Sequence, residues 1–226
     1  MRFEHFTSKK KFIADSVTYI LNAVGEKEGV AHIGLSGGKT PLPVYKALAN
    51  SALNFERTEF WLVDERCVPP NNLDSNYGTI KKAFAKAPPV FFNHLHGFDT
   101  SLSPKDAAAK YEQETQVIPQ SRFDLIILGM GSDGHIASLL PGSPALGETT
   151  ALVAANINAS VPNPPVRDRL TMTLLLLMKS RDILLLLTGK EKQSALNDLL
   201  EGKKSVEEFP VRQLMEHTEF SIFYLP

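Results

Sequence analysis

The sequence holds one cysteine, Cys67, in 226 residues. No intrachain disulfide can form, so the fold rests on its core, as is usual in a reducing cytosol. A surplus of either charge is also missing: 24 basic residues face 25 acidic ones, for a net charge of -1. A general nucleic-acid binder carries a basic excess, so nucleic acid is not an expected partner, although a local basic pocket is compatible with the total. Long apolar runs are absent too. The most apolar stretch, Leu174 to Leu177 and then Ile183 to Leu187, is interrupted by Lys179, Arg181 and Asp182. That break excludes a membrane span of ~20 residues and reads as two buried segments with a turn between them. The opening MRFEHFTSKKKF contains no apolar signal-peptide core. The expectation is a cytoplasmic protein with no membrane partner. A monomer is expected, with a weak homo-oligomer as the alternative.

What is present suits a globular chain. Apolar residues make up 43% and charged residues 22%, which argues against disorder and leaves enough for a substantial core. Phe12, Ile13, Val17, Ile20, Leu21 and Val24 recur at helical spacing over residues 8 to 24. Val30 to Leu35, Glu59 to Val63, Phe123 to Leu128, Leu170 to Leu174, Ile183 to Leu187 and Phe220 to Leu225 read as strands. Pro41 and Pro43 open a helix through Ala49. Ser75 or Asn76 caps another to about Lys86, Pro104 to Gln116 forms a third, and Gly189 starts one through about Leu200. Leu175 to Ser180 reads as a turn or short helix. Residues 141 to 168 are rich in Pro, Gly, Asn and Ala and read as loop with some strand. No repeat and no linker divides the chain, so residues 1 to 226 are expected to form one domain. Alternating helix and strand predicts an α/β fold with a mostly parallel sheet covered on both faces.

In such sheets ligands sit at the carboxyl ends of strands. Three polar segments follow expected strands: 36 to 41, 64 to 66 and 129 to 135. In Ser36-Gly37-Gly38-Lys39-Thr40-Pro41, two glycines between strand and helix let the backbone approach an anion, and a helix N-terminus adds donors. A phosphate suits this loop, which lacks Walker A spacing. Gly34 to Gly38 also matches the G-x-S-x-G nucleophile elbow. An elbow serine normally follows several strands, however, and this one follows the first. In Asp64-Glu65-Arg66, alternation sends Asp64 and Arg66 to one side and Glu65 to the other. Arg66 suits bidentate recognition of an anion or polarisation of a carbonyl. The neighbouring Cys67 reads as a small buried or loop cysteine rather than a reactive thiolate. Gly129 to His135 is the strongest segment: three glycines permit close approach, and His135 can take a proton from water near neutral pH. No Cys or His partner stands at metal-ligand spacing. Arg169 and either Lys190 or Lys192 lie at element ends; spacing does not choose between the two lysines.

Six stretches in order, LSGGKTP (35–41), DERCVPP (64–70), SNYG (75–78), LGMGSDGHIASLLPGS (128–143), RLTMT (169–173) and GKEK (189–192), resemble the 6-phosphogluconolactonase family. That family belongs to a wider group that includes glucosamine-6-phosphate deaminases. The resemblance covers nearly the whole chain. It implies a Rossmann-like three-layer α/β/α fold, no metal and no organic cofactor. It also implies hydrolysis of 6-phospho-D-glucono-1,5-lactone in the oxidative pentose phosphate pathway. On this resemblance His135 is the base that activates water, Arg66 orients substrate or stabilises an oxyanion, and Asp64 supports that pocket. Ser36, Gly37, Gly38, Lys39, Thr40, Arg169 and Lys192 hold the phosphate, Lys192 being favoured over Lys190. The sequence departs from the family pattern at Lys39, Ile136 and Asn72-Leu73. A deaminase-like isomerase is the first rival. Its pattern continues Ile-Ala-Phe-Asn-Glu-Pro after the histidine, whereas this chain reads Ile136-Ala137-Ser138-Leu139-Leu140-Pro141 and lacks that glutamate. A non-catalytic sugar-phosphate sensor is the second rival; it has no need of a histidine or the DER group.

Overall fold

A computed structural model of the chain describes residues 1–25, 27–157 and 168–226. Seven strands form one sheet: β1 (Arg2–His5), β2 (Ala31–Leu35), β3 (Thr58–Leu62), β5 (Leu95–His96), β6 (Leu125–Leu128), β9 (Ile183–Thr188) and β10 (Phe220–Leu225). Their order is β1-β10-β9-β6-β2-β3-β5, and every pairing is parallel. The middle strands explain the sheet. Every residue of β6 and the first five of β9 are buried, the continuous apolar signature of strands covered on both faces.

Helix α1 (Lys9–Gly25) buries Phe12, Ser16, Ile20 and Val24, a four-residue spacing that lays one stripe on the sheet. It packs on β6, β10 and α2 (Leu42–Leu48), and α2 packs on α3 (Asn76–Ala83). Helix α4 (Pro104–Thr115) instead packs against a second, smaller sheet. That sheet is antiparallel, in the order β4 (Asp64–Arg66), β8 (Arg169–Met172), β7 (Val153–Asn156). The α/β expectation holds, with helices on both sides of the parallel sheet.

The sequence reading differs from this fold in several places. The strand expected at Leu170 to Leu174 belongs to the small sheet and ends at Met172, because Thr173 becomes the N-cap of α5 (Leu174–Leu177). The short helix expected from Leu175 to Ser180 is α5, which starts one residue earlier and ends three residues earlier, at Leu177. Helix α3 stops at Ala83 rather than about Lys86, with Phe84 as its C-cap. The strand expected within residues 141 to 168 is β7, and residues 158 to 167 of that loop lie outside the described residues. The helix after Gly189 begins as a 3-10 turn, Lys190–Lys192, before α6 (Gln193–Glu201).

The parallel order places the site. From β2 the chain moves one way, to β3 and β5; from β6 it moves the other way, to β9 and β10. Loops leaving β2 and β6 therefore diverge and open a crevice at the strands' carboxyl ends, the switch point where α/β sheets bind ligands.

Candidate active site

A cleft of about 280 Å³ lies at this switch point, lined by residues 36–41, by Asp64, Arg66 and Asn76, by Gly129, Met130, Gly131, His135 and Ala137, and by Lys192. The three polar segments singled out in the sequence thus meet in one place. The volume sits near the lower end of the range for small-molecule sites, which suits a single phosphorylated sugar better than a dinucleotide.

The loop after β2 is fixed at its root. Ser36 donates its backbone N–H to Ile127 (3.1 Å), and its carbonyl accepts from the Tyr45 hydroxyl (3.0 Å). Beyond it, Gly38 adopts φ +86, a conformation that side-chain-bearing residues rarely take. A Cβ on Gly37 would stand 2.0 Å from Asn76 Oδ1, so the first glycine of the pair is needed for close approach. Among the described residues no acceptor takes the N–H groups of Gly37, Gly38 and Lys39. The Ser36 hydroxyl is buried without a partner. Such a loop is prepared for an anion. The helix that follows contributes less than the sequence suggested, since Pro41 and Pro43 bring no N–H to its first turn. Thr40 is held by a hydroxyl contact with Thr188 (2.9 Å). Lys39 is exposed at the rim.

Alternation along β4 works as expected. Asp64 and Arg66 line the cleft, while Glu65 turns away into the interior. Glu65 is 2% exposed and accepts from the backbone N–H of Arg66 (2.7 Å), Asn76 (2.7 Å) and Tyr77 (2.8 Å) and from the Ser75 hydroxyl (3.0 Å). It thereby pins the first turn of α3, whose N-cap is Ser75. Burial pushes its carboxyl above the usual range, against the pull of these four donors. Asp64 accepts from Asn76 Nδ2 (3.1 Å) and from Ser138 Oγ (2.8 Å), so its carboxylate is held on both oxygens. Arg66 donates through Nη1 to the Asp74 carbonyl (2.6 Å). The Asn72-Leu73 stretch therefore ends in an anchor for Arg66, with Leu73 itself 88% exposed.

The loop after β6 closes on itself: Gly131 donates to the His135 carbonyl (2.9 Å) and Gly134 to the Gly131 carbonyl (3.2 Å). This turn brings His135 Nδ1 to 2.6 Å from Asp133 Oδ1. A carboxylate only accepts, so Nδ1 carries the proton and Nε2 is the basic nitrogen left for the cleft. Burial alone would raise the Asp133 carboxyl, but the hydrogen bonds and charge of His135 outweigh it and hold that carboxyl below its usual range. Sequence reading passed over Asp133 as one more polar residue in the glycine loop. The signal that finds it is its place two residues before the histidine, within reach across a tight turn.

Lys192 lines the cleft and is half-buried, while Lys190 is exposed and does not line it. Arg169 is not among the lining side chains. It stands opposite Arg66 in the β4–β8 ladder and is half-buried. Burial, and then the charge of Arg66, lower its pKa. Cys67 is pushed up to about 11 by burial, so at neutral pH it is a thiol. Among the described residues no group of His, Cys, Asp and Glu is arranged to hold a metal ion, and no helix is long and apolar enough to cross a membrane.

A family described as glucosamine-6-phosphate isomerases and 6-phosphogluconolactonase matches residues 8–222. The chain belongs to this family. Within it, the chain is similar to the 6-phosphogluconolactonase of Synechocystis, 34% identical over 89% of this chain and 84% of that protein. It is equally similar, at 34% identity, to that of Thermotoga maritima, over 84% of this chain and 83% of that one. A crystal structure of the Thermotoga maritima 6-phosphogluconolactonase superposes with a TM-score of 0.83, covering 99% of both chains at 30% identity. The Trypanosoma brucei 6-phosphogluconolactonase gives a TM-score of 0.84 at 25% identity, over 99% of this chain and 95% of that one.

Proposed function

We propose that this chain hydrolyses 6-phospho-D-glucono-1,5-lactone to 6-phosphogluconate, the reaction its closely matching relatives are named for. The observation that carries the reading is the Asp133–His135 dyad opening onto a cleft bordered by Lys192, Arg66 and a glycine loop with unused donors. The 6-phosphate docks on residues 36–40 with Lys192, and Arg169 lends its charge from the strand beside Arg66. Binding energy from that remote group orients the lactone carbonyl.

His135 Nε2 then takes a proton from water while Asp133 steadies the imidazolium. The water oxygen bonds to the lactone carbonyl carbon, and the tetrahedral oxyanion is stabilised by Arg66. Preorganised donors of this kind contribute about 10²–10³ each in rate. Collapse breaks the bond between that carbon and the ring oxygen, which leaves with a proton returned from His135. The net change is one water consumed and one carboxylic acid formed, ionising at neutral pH. A lactone is an activated ester, so water and a base suffice.

The cleft draws on segments from β2 through α6, so the chain works as one domain. A reducing compartment such as the cytosol suits its lone thiol. Where the deaminase pattern carries a glutamate, this chain has Leu140, which is buried. Base consumption at constant pH, with freshly made lactone in one vessel and glucosamine 6-phosphate in another, tests the assignment. Accelerated acid release from the lactone with no ammonia from the amino sugar is expected; the reverse pattern would overturn it.

A further inference from the structure

The cleft is held together in part by a residue that does not itself line it. Ser138 is 3% exposed and has all three of its polar groups engaged. Its hydroxyl donates to Asp64 Oδ2 (2.8 Å), its backbone N–H to the Thr171 hydroxyl (3.2 Å), and its carbonyl accepts from Asn156 Nδ2 (3.1 Å). Asp64 lies 74 positions earlier in the chain, whereas His135 is only three residues away. Between them Ala137, which lines the cleft, sits at φ +50, one of the few left-handed residues that is not glycine. Such a conformation costs of order 1–3 kcal/mol and persists only where its surroundings over-determine it. The three bonds of Ser138, together with the bridge between Ile136 and Leu139, supply that constraint.

The contacts continue past Asp64. Its other oxygen accepts from Asn76, the side chain against which Gly37 packs. Ser138 thus closes a buried chain, His135 loop to Asp64 to Asn76 to the glycine loop, that spans all three segments of the cleft. Small-sheet residues Thr171 and Asn156 anchor it from the far side. Buried networks of this type restrict the geometry of their members, and breaking one member frees several.

We propose that Ser138 is a positioning residue of the reaction, locking the Asp64 carboxylate and the exit of the His135 loop into one rigid piece so that base and acid strand meet the substrate in fixed register. This rests on the lactonase reading above. Removing the hydroxyl leaves one Asp64 oxygen without its donor and takes away one of the three bonds that constrain Ala137. A catalytic group displaced by about 1 Å loses as much as 10²-fold in rate.

The test is a double-mutant cycle on lactone hydrolysis with Ser138→Ala, Asp64→Ala and the double variant, each with its melting temperature. Ser138→Ala is expected to lower kcat by about 10- to 100-fold with KM within about twofold of wild type. In the Asp64→Ala background it should cost almost nothing more, since the two side chains act as a unit. Wild-type kcat in Ser138→Ala, or losses that multiply in the double variant, would overturn the proposal. Should Ser138→Ala fail to fold, Ser138→Cys keeps the volume but only a weak donor; it should still lose kcat, and full kcat in it has the same overturning force. If wild type itself leaves the lactone at its spontaneous rate, the lactonase reading fails separately. Positioning is then read from the His135 imidazole signals in NMR spectra, which Ser138→Ala should move; unmoved signals would sink it.

Discussion

Replacing Gly131 with alanine probes the dyad without removing either of its members. A Cβ built there stands 2.2 Å from His135 Nδ1, 2.3 Å from His135 Cε1 and 2.3 Å from Asp133 Oδ1. Ordinary contacts between such atoms lie near 3.5 Å, so the imidazole and its carboxylate must retreat by roughly 1 Å. The backbone of Gly131 needs no positive φ, so the collision itself is the perturbation. Misplacement of a reacting group by ~1 Å costs on the order of 10² in rate, and crowding of this kind costs about 1–3 kcal/mol of stability. The phosphate loop and Lys192 are untouched, so KM should stay within a few-fold. The assay is initial-rate acid release from fresh lactone, with the spontaneous rate subtracted, alongside a thermal melt. Gly147→Ala, whose Cβ meets nothing within 4 Å, serves as the control and should change neither. Wild-type kcat in Gly131→Ala would refute the claim that the dyad's present geometry is the working one.

Three further outcomes are expected. Lys192→Ala should raise KM for the phosphorylated lactone at least tenfold and leave kcat within a few-fold, because its charge acts alike on ground state and transition state; steady-state kinetics decide it. Glu65→Ala strands the backbone N–H groups of Asn76 and Tyr77 at the start of α3 and that of Arg66 in β4, and should destabilise the fold by roughly 3 kcal/mol or more, read as a lowered denaturation midpoint in urea. Cys67, pushed up to about 11, is protonated at pH 8; a disulfide reagent should label it more slowly in the native protein than in the unfolded one, and its labelling rate should climb with pH. A fast labelling phase in native protein at pH 8 would contradict that environment.

Much of this architecture was legible because the informative strands are buried on both faces. β10 spans the residues its apolar run marked, and β9 and β2 differ from expectation by a single residue at one end. β6 begins two residues late, at Leu125; Asp124 just before it accepts from the His32 N–H (2.8 Å) and from Lys27 (2.5 Å) through its carboxylate. The strands that escaped detection are short and at or near sheet edges. β1 is largely exposed and β5 has two residues; β7, expected only as some strand within residues 141 to 168, carries small residues of mixed exposure that leave its bounds unmarked. None has a hydrophobic period to read. The small antiparallel sheet was invisible for a related reason: β4 was recognised for its charges, and nothing local pairs it with a segment more than a hundred residues later.

At the site, side chains that face the cleft were found from glycine loops and strand ends. Those that hold them, Asp133, Asn76 and Ser138, were not singled out, because their roles depend on contacts between distant segments. Asp133 alone left a local trace, two residues from His135. Spacing alone did not separate Lys190 from Lys192; the family resemblance favoured Lys192, and the turn between β9 and α6 brings that lysine to the cleft while Lys190 is exposed.

The central claim is that His135 deprotonates the attacking water. It is tested most directly by following acid release from freshly generated 6-phosphoglucono-δ-lactone at neutral pH, with wild type and His135→Ala side by side against the spontaneous rate. The account predicts rapid acidification by wild type and a folded variant whose kcat falls by about 10²–10⁴-fold while KM changes little. A folded His135→Ala variant that keeps wild-type kcat would contradict it.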